Sequence, residues 1–434
     1  METVSSYGQI FTSGEAIEVV RTGESDRRLQ LLYWDGKVGK ITTRLKLNGK
    51  IYVPPDINPT LLGAVRLPNY PLAYDSATSL AADLTTDIQK YSGLSDHFSR
   101  VSAFYAVMTC LSDLLPTAPR LSLVGPSSRG ADQLIRLLGC FCRHALRLTS
   151  VAPAPLLALP FDFGFTIMIR QIKVSARLKE VLDAATMPGD FVPSNGQFLK
   201  PFSPVVLHTE KPLGKSSAAV EIEIPLLPVR DDLALLDAET EAKFAMQFQN
   251  QLLAFRLENF EMVRKNLFDP AELSFPTREV ARTIGGCFPN DPALQEEVVA
   301  LFRVADTHSR VHRSVSIESL LIESLLFRCH ESQGDPNAGV YAGDLAGDIR
   351  VISTGRSDPI IRSLRAVGDL LRTLGFEPER LDRNGRGILL CQAIIDRVHE
   401  LAARFQVPSL MQSTHGCARC THVRQTLVGP GDRI

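Results

Sequence analysis

Arg120-Leu-Ser-Leu-Val-Gly-Pro-Ser-Ser-Arg-Gly-Ala-Asp132 decides how this chain is read. Leu121 to Val124 is a short apolar run, the signature of a buried strand. Gly125 and Gly130 bracket a turn of small residues, and Asp132 to Leu138 has the spacing of a following helix. Strand, glycine-bounded turn and helix form the frame of a phosphate-cradling loop, Gly-x-x-x-x-Gly-Lys-[Ser/Thr]. In that loop backbone N–H groups hold phosphate, the lysine reaches the β/γ-phosphates and the hydroxyl holds magnesium. Here Ala131 stands at the lysine position and Asp132 at the hydroxyl position. The candidate nucleotide-binding loop is therefore Gly125, Pro126, Ser127, Ser128, Arg129, Gly130, Ala131 and Asp132.

A second apolar run, Phe165-Thr-Ile-Met-Ile169, is where an acidic pair for magnesium and the attacking water would follow. The residues there are Arg170 and Gln171. Asp132 also adds negative charge where phosphate must approach. Two like charges 4 Å apart repel by about 4 kcal/mol at an effective dielectric near 20. The frame is expected to have kept its shape and lost hydrolysis, with no catalytic residue and no cofactor. ATP and magnesium are the ligands such a frame otherwise takes.

Around this segment, residues 76–235 alternate apolar runs with helical patterns, which predicts a parallel sheet covered on both faces. Residues 1–75 read as a β-rich N-terminal domain, with Asp35-Gly36 and Asn48-Gly49 as hairpin turns. Residues 236–334 carry helical spacing, including a long stretch from Thr240 to Phe260. From 335 to 410 the order is helix, turn, helix (Ser363 to Leu374), hairpin with Asn384-Gly385 at its tip, and a last helix. That order matches a winged helix-turn-helix. Residues 411–434 read as a flexible Cys/His tail.

The 434 residues carry a formal charge of −1, so any nucleic-acid-binding surface must be local. No run approaches the roughly 18 apolar residues of a spanning helix, and the first residues lack a signal-peptide layout. Eight cysteines, several in apolar surroundings, read as reduced core residues. The expected setting is the cytoplasm, away from membranes.

With these motifs in view, the chain resembles a family. Pro119 to Gly130 is similar to the phosphate loop of RecA-like and AAA+ ATPases, and Phe165–Ile169 to their second motif strand. Leu178 to Pro204, with Gly189, Asn195-Gly196 and Phe202-Ser-Pro204, resembles the segment after that strand in helicase-type ATPases of phages, plasmids and integrated elements. Val367-Gly-Asp-Leu-Leu-Arg-Thr-Leu-Gly375 resembles the recognition helix of a winged-helix domain appended to such proteins. The resemblance spans roughly residues 100 to 400 and implies a nucleic-acid-handling ATPase lineage. Ala131, Asp132, Arg170 and Gln171 depart from its pattern.

Two further groups carry chemistry. Ser363, Arg365, Arg372, Arg380, Arg383 and Arg386 lie on the second helix and hairpin of the C-terminal pattern, where they would face double-stranded DNA. Cys417 and Cys420 have Cys-x-x-Cys spacing with His415 and His422 on either side, four residues of types that zinc accepts, in one short, cramped knot. Arg256, on the long helical segment, is expected to make a structural ion pair. The sequence thus leads to a DNA-binding scaffold of a mobile element's replication or control system, its core serving homo-oligomerisation. A weakly active DNA-dependent ATPase using Arg129 in place of lysine, and a protein–protein adaptor, are the alternatives.

Overall fold

A computed structural model describes residues 2–427, except 23–27, 127–128, 172, 195, 214–219, 228–232, 315, 333–334, 336–337, 355–363, 384 and 413–416. At 129, 308, 310–314, 354, 364, 411–412 and 424–427 only the backbone is described. The chain divides into two compact units, 1–303 and 304–434.

The first unit opens with strands β1 (Glu2–Ser5), β2 (Gln9–Ile10), β3 (Ala16–Val20), β4 (Gln30–Trp34), β5 (Gly39–Thr42), β6 (Leu45–Leu47) and β7 (Lys50–Val53). They form an antiparallel sheet in the order β2-β3-β4-β5 and a second sheet, β1-β7-β6, in which β1 runs parallel to β7. Both expected turns are present. Asp35 Oδ1 accepts from the N–H groups of Lys37 (2.8 Å) and Val38 (2.7 Å). Asn48 and Gly49 both have positive φ, 50° and 76°, as a two-residue hairpin that matches the strand twist requires. These strands pack into the rest of the unit. Ala16 and Val20 join one apolar cluster with Met168 and Val206. Ile17 and Val19, on the other face of β3, join a second with Ile167, Ile169, Val205 and Leu207.

After α1 (Pro59–Ala64), α2 (Ala77–Ser92) and α3 (Asp96–Thr109) comes the α/β core. It consists of β8 (Arg120–Val124), α4 (Arg129–Phe141), β9 (Ala145–Thr149), α5 (Pro153–Leu157), β10 (Thr166–Arg170), α6 (Ala176–Ala184), a small hairpin β11–β12 (Val192–Ser194, Gln197–Leu199), β13 (Val205–Thr209) and β14 (Glu221–Pro225). The five-stranded sheet has the order β14-β8-β13-β10-β9, with every pairing parallel. Its central strands are buried on both faces, which is why they read as continuous apolar runs. This parallel five-stranded sheet with its helices is consistent with a nucleoside-triphosphatase-like core. The unit's element order ends with α7 (Ala238–Lys265), α8 (Phe275–Gly285) and the part of α9 (Pro292–Ser314) up to residue 303.

A buried ion cluster ties these layers together. Arg256 on α7 donates to Glu18 on β3 at 2.6 Å and to both carboxylate oxygens of Asp113 at 2.7 and 2.8 Å, while Arg143 reaches Glu18 at 2.9 Å. Arg256 is thus a structural residue. Burial opposes the charge on Glu18, but Arg256 and Arg143 outweigh it and hold the carboxyl below its ordinary range.

The second unit has its own apolar core. Its elements are α10 (Ile317–Glu331), β15 (Gly339–Tyr341), α11 (Ala342–Thr354), α12 (Leu364–Thr373), β16 (Glu379–Asp382), β17 (Gly385–Leu389), α13 (Gln392–Arg404), α14 (Pro408–Gln412) and α15 (Ala418–Leu427). The three strands form an antiparallel sheet in the order β15-β17-β16. Gly387 permits this: a Cβ there would lie 2.1 Å from the Val340 carbonyl oxygen on β15. A flexible tail is expected from 411, but the structure has α15 there, with Cys420 fully buried.

Candidate functional site

All five core strands point their carboxyl ends the same way, so the loops leaving β8, β10 and β13 meet at one end of the sheet. In an open α/β sheet that end is where ligands bind. Gly125 opens the loop with φ +156°, and a Cβ on it would sit 2.5 Å from the Leu226 carbonyl oxygen. Only glycine fits that approach. The loop backbone is pinned by Gly125 N–H to Thr209 O (3.0 Å) and by Leu226 N–H to Val124 O (2.7 Å).

The charges at this end pair with one another. Asp132, in the first turn of α4, accepts from the Arg170 guanidinium at the end of β10. A helix N-terminus favours an anion, and here the chain's own carboxylate supplies it. Both side chains are partly exposed, 46% and 40%, so the pair adds little stability. Its consequence is positional: the two side chains close on each other at the carboxyl end of the sheet. Ala131, next to Asp132, is 2% exposed and packed inward.

Beside this pair lies a cleft of about 610 Å³, lined among others by Gln133, Arg136, Arg147 and Asp237. Its arginines are committed. Glu241 on α7 takes Arg136 through two bonds (2.8 and 2.6 Å), Arg147 at 3.4 Å, and Arg66. Burial resists ionisation of Glu241, yet the arginines hold its carboxyl low. Gln133 staples α4 to the approach to α7, donating to Tyr91 O and Ala234 O at 2.9 Å each and accepting from Leu236 N–H at 3.2 Å.

Sequence reasoning missed His208, at the end of β13. Its Nε2 lies 3.2 Å from the Gly125 carbonyl oxygen, and burial pushes its pKa down, keeping it neutral. Nδ1 of His208 and Oε1 of Gln171 are buried without a hydrogen-bond partner. The arrangement among the described residues can offer hydrogen bonds to a polar ligand. It presents neither the lysine, the hydroxyl nor the acid pair that magnesium–triphosphate chemistry needs. Ser127, Ser128 and the side chain of Arg129 lie outside the described residues.

In the second unit, Arg365 and Arg372 are exposed on α12, and Arg372 pairs with Asp369 at 2.7 Å. Arg380 and Arg386 are directly opposite in the β16–β17 register, exposed like Arg383 in the turn. Ser363 lies outside the described residues. His415 lies outside the described residues, and His422 is exposed and does not join Cys417 and Cys420. Their sulfurs face His399 on α13 and His330 on α10 instead.

No family model matches the sequence, and neither does any curated protein. Among solved structures, the apo NrS-1 C-terminal region is 11% identical over 86% of this chain and 96% of its own, with a TM-score of 0.37. A full-length MCM homolog from Methanopyrus kandleri is 11% identical over 67% and 74%, with a TM-score of 0.34. Drosophila ORC bound to DNA is 11% identical over 76% and 93%, with a TM-score of 0.20. Each score lies below 0.5, too low to carry an inference about this chain.

Proposed function

We propose that this chain is a DNA-binding scaffold whose NTPase-like core does not hydrolyse nucleotide, with a C-terminal winged helix that grips double-stranded DNA. The observation that carries the reading is the Asp132–Arg170 ion pair. It sets a carboxylate at the helix N-terminus and a cation at the acid's place, the reverse of what a metal-bound triphosphate needs. The core then acts as a platform for self-association. A role in a mobile element's replication or its control is the setting that the sequence resemblance suggests.

The DNA-binding half is supported by the second unit's element order. A strand (β15) precedes two helices and a hairpin whose second strand pairs back to it, so α12 would enter the major groove and the hairpin would lie along the backbone. Arg380 and Arg386 support it further. Like charges directly opposite across a strand pair are unfavourable, and a phosphate between them converts repulsion into two charge-assisted hydrogen bonds.

Anisotropy of a labelled duplex titrated with the full chain across salt concentrations tests this reading. Log affinity should fall linearly with log salt, with a slope of about −0.9 per phosphate contacted. No binding even at low salt would leave the adaptor reading instead.

A further inference from the structure

Four side chains from three helices converge in the second unit: His330 in the last turn of α10, His399 on α13, Cys417 just before α15, and Cys420 within it. One ligand atom from each lies within 4.8 Å of all the others. Cys417 Sγ is 3.4 Å from His399 Nε2, and Cys420 Sγ is 3.3 Å from His330 Nε2. In a tetrahedral zinc site, Zn–S of about 2.3 Å and Zn–N of about 2.0–2.1 Å place sulfur and nitrogen roughly 3.5 Å apart. The two measured edges match that figure.

The orientation of the ligands fits as well. His399 Nδ1–H donates to the Ile395 carbonyl oxygen at 2.7 Å, so Nε2 carries the lone pair that faces Cys417. His399 and Cys420 are buried at 2% and 0% exposure, while Cys417 and His330 are half-buried, leaving a path for an ion. Two thiolates and two neutral imidazoles around Zn²⁺ sum to no net charge, which suits an apolar setting.

The helix that carries Cys420 needs such a clasp. α15, Ala-Arg-Cys-Thr-His-Val-Arg-Gln-Thr-Leu, is ten residues long, below the length at which an isolated helix holds itself. Cys420 is its only fully buried side chain among those described, with Arg419 Nε to Asp396 (2.8 Å) adding a surface tie to α13.

We propose that His330, His399, Cys417 and Cys420 form a closed structural zinc site that fastens α15 onto α10 and α13. The helices it joins also brace the paired helices α11 and α12. Arg328 on α10 donates to both carboxylate oxygens of Asp348 on α11, at 2.9 and 2.8 Å. Arg397 on α13 donates to the Leu374 carbonyl oxygen beyond the end of α12, at 3.2 and 2.8 Å. The metal therefore fixes the frame of the second unit as well as its last helix.

The test uses the full chain purified without chelator. Elemental analysis should give one zinc per chain, and cobalt(II) added to metal-free protein should give the visible spectrum of tetrahedral cobalt with thiolate charge-transfer bands. Cys417→Ser and His330→Gln should each lose the equimolar metal, while His422→Ala should keep it. Wild-type protein that takes up no equimolar zinc and shows no tetrahedral cobalt spectrum would overturn the site, leaving two Cys–His hydrogen bonds. Loss of metal in His422→Ala with retention in His330→Gln would overturn this ligand set.

Discussion

The carboxylate of Asp132 bonds the guanidinium of Arg170 across the carboxyl end of the parallel sheet, between the first turn of α4 and the last residue of β10. Each side chain satisfies the other's charge at that end of the sheet.

That pairing predicts the effect of undoing it. Asp132→Ser removes the negative charge from the helix N-terminus and frees Arg170 to meet phosphate. Affinity for a triphosphate without magnesium should rise about tenfold, close to 1.4 kcal/mol, in calorimetric titration of variant against wild type. An unchanged affinity would show that Asp132 does not repel the anion.

On the hairpin, Arg380→Ala and Arg386→Ala should each weaken duplex binding across unrelated sequences and reduce the salt slope by about 0.9. Both residues are exposed, so circular dichroism should not change. Arg365→Ala and Arg372→Ala on α12 should weaken binding as well. A slope identical to wild type in all four would remove the hairpin and helix from the DNA surface.

Inside the first unit, Glu18→Ala leaves Arg256 and Arg143 without the carboxylate they share. Removing one partner of a buried ion pair costs about 3–5 kcal/mol, which should appear as a large drop in the denaturation midpoint. A variant as stable as wild type would mean the cluster is already hydrated.

His144 predicts a pH effect. Burial, reinforced by Arg143, lowers its pKa to about 3. Between that value and about 6.5, the ordinary histidine pKa, the unfolded chain binds a proton that the folded chain does not. Stability of the first unit should therefore fall on acidification through this window, by up to about 1.4 kcal/mol per pH unit. Glu18, whose folded carboxyl is held low, adds a further loss once the pH drops below the ordinary glutamate range. His144 has φ +47°, which asparagine tolerates. His144→Asn should flatten the stability profile between about pH 6.5 and 5, and an unchanged slope would assign the acid sensitivity elsewhere.

Much of the architecture could be read along the chain because it is local. Leu121–Val124 ends in a glycine that its backbone requires, and Asn48-Gly49 makes the turn its conformation favours. Ala145–Thr149 escaped notice because it is an edge strand whose Arg147 and Thr149 are exposed, so the apolar run breaks. The residue types at 131, 132, 170 and 171 were also legible, since each position is fixed by its distance from a strand end. The direct bond between Asp132 and Arg170 was not, because it depends on the strand order, in which β8 and β10 flank β13. The partners of Cys417 and Cys420 were hidden for the same reason. His330 sits 90 residues upstream of Cys420, and only the packing of three helices brings them together. Nothing in the polar sequence of α15 announces a helix, so local pattern favoured a flexible tail.

The most direct check of the proposed loss of hydrolysis is calorimetric titration of the full chain with ATP, with and without magnesium, alongside a phosphate-release assay. The ion pair at the sheet's end predicts no magnesium-dependent binding and no turnover. Tight binding that requires magnesium, with phosphate released, would contradict it.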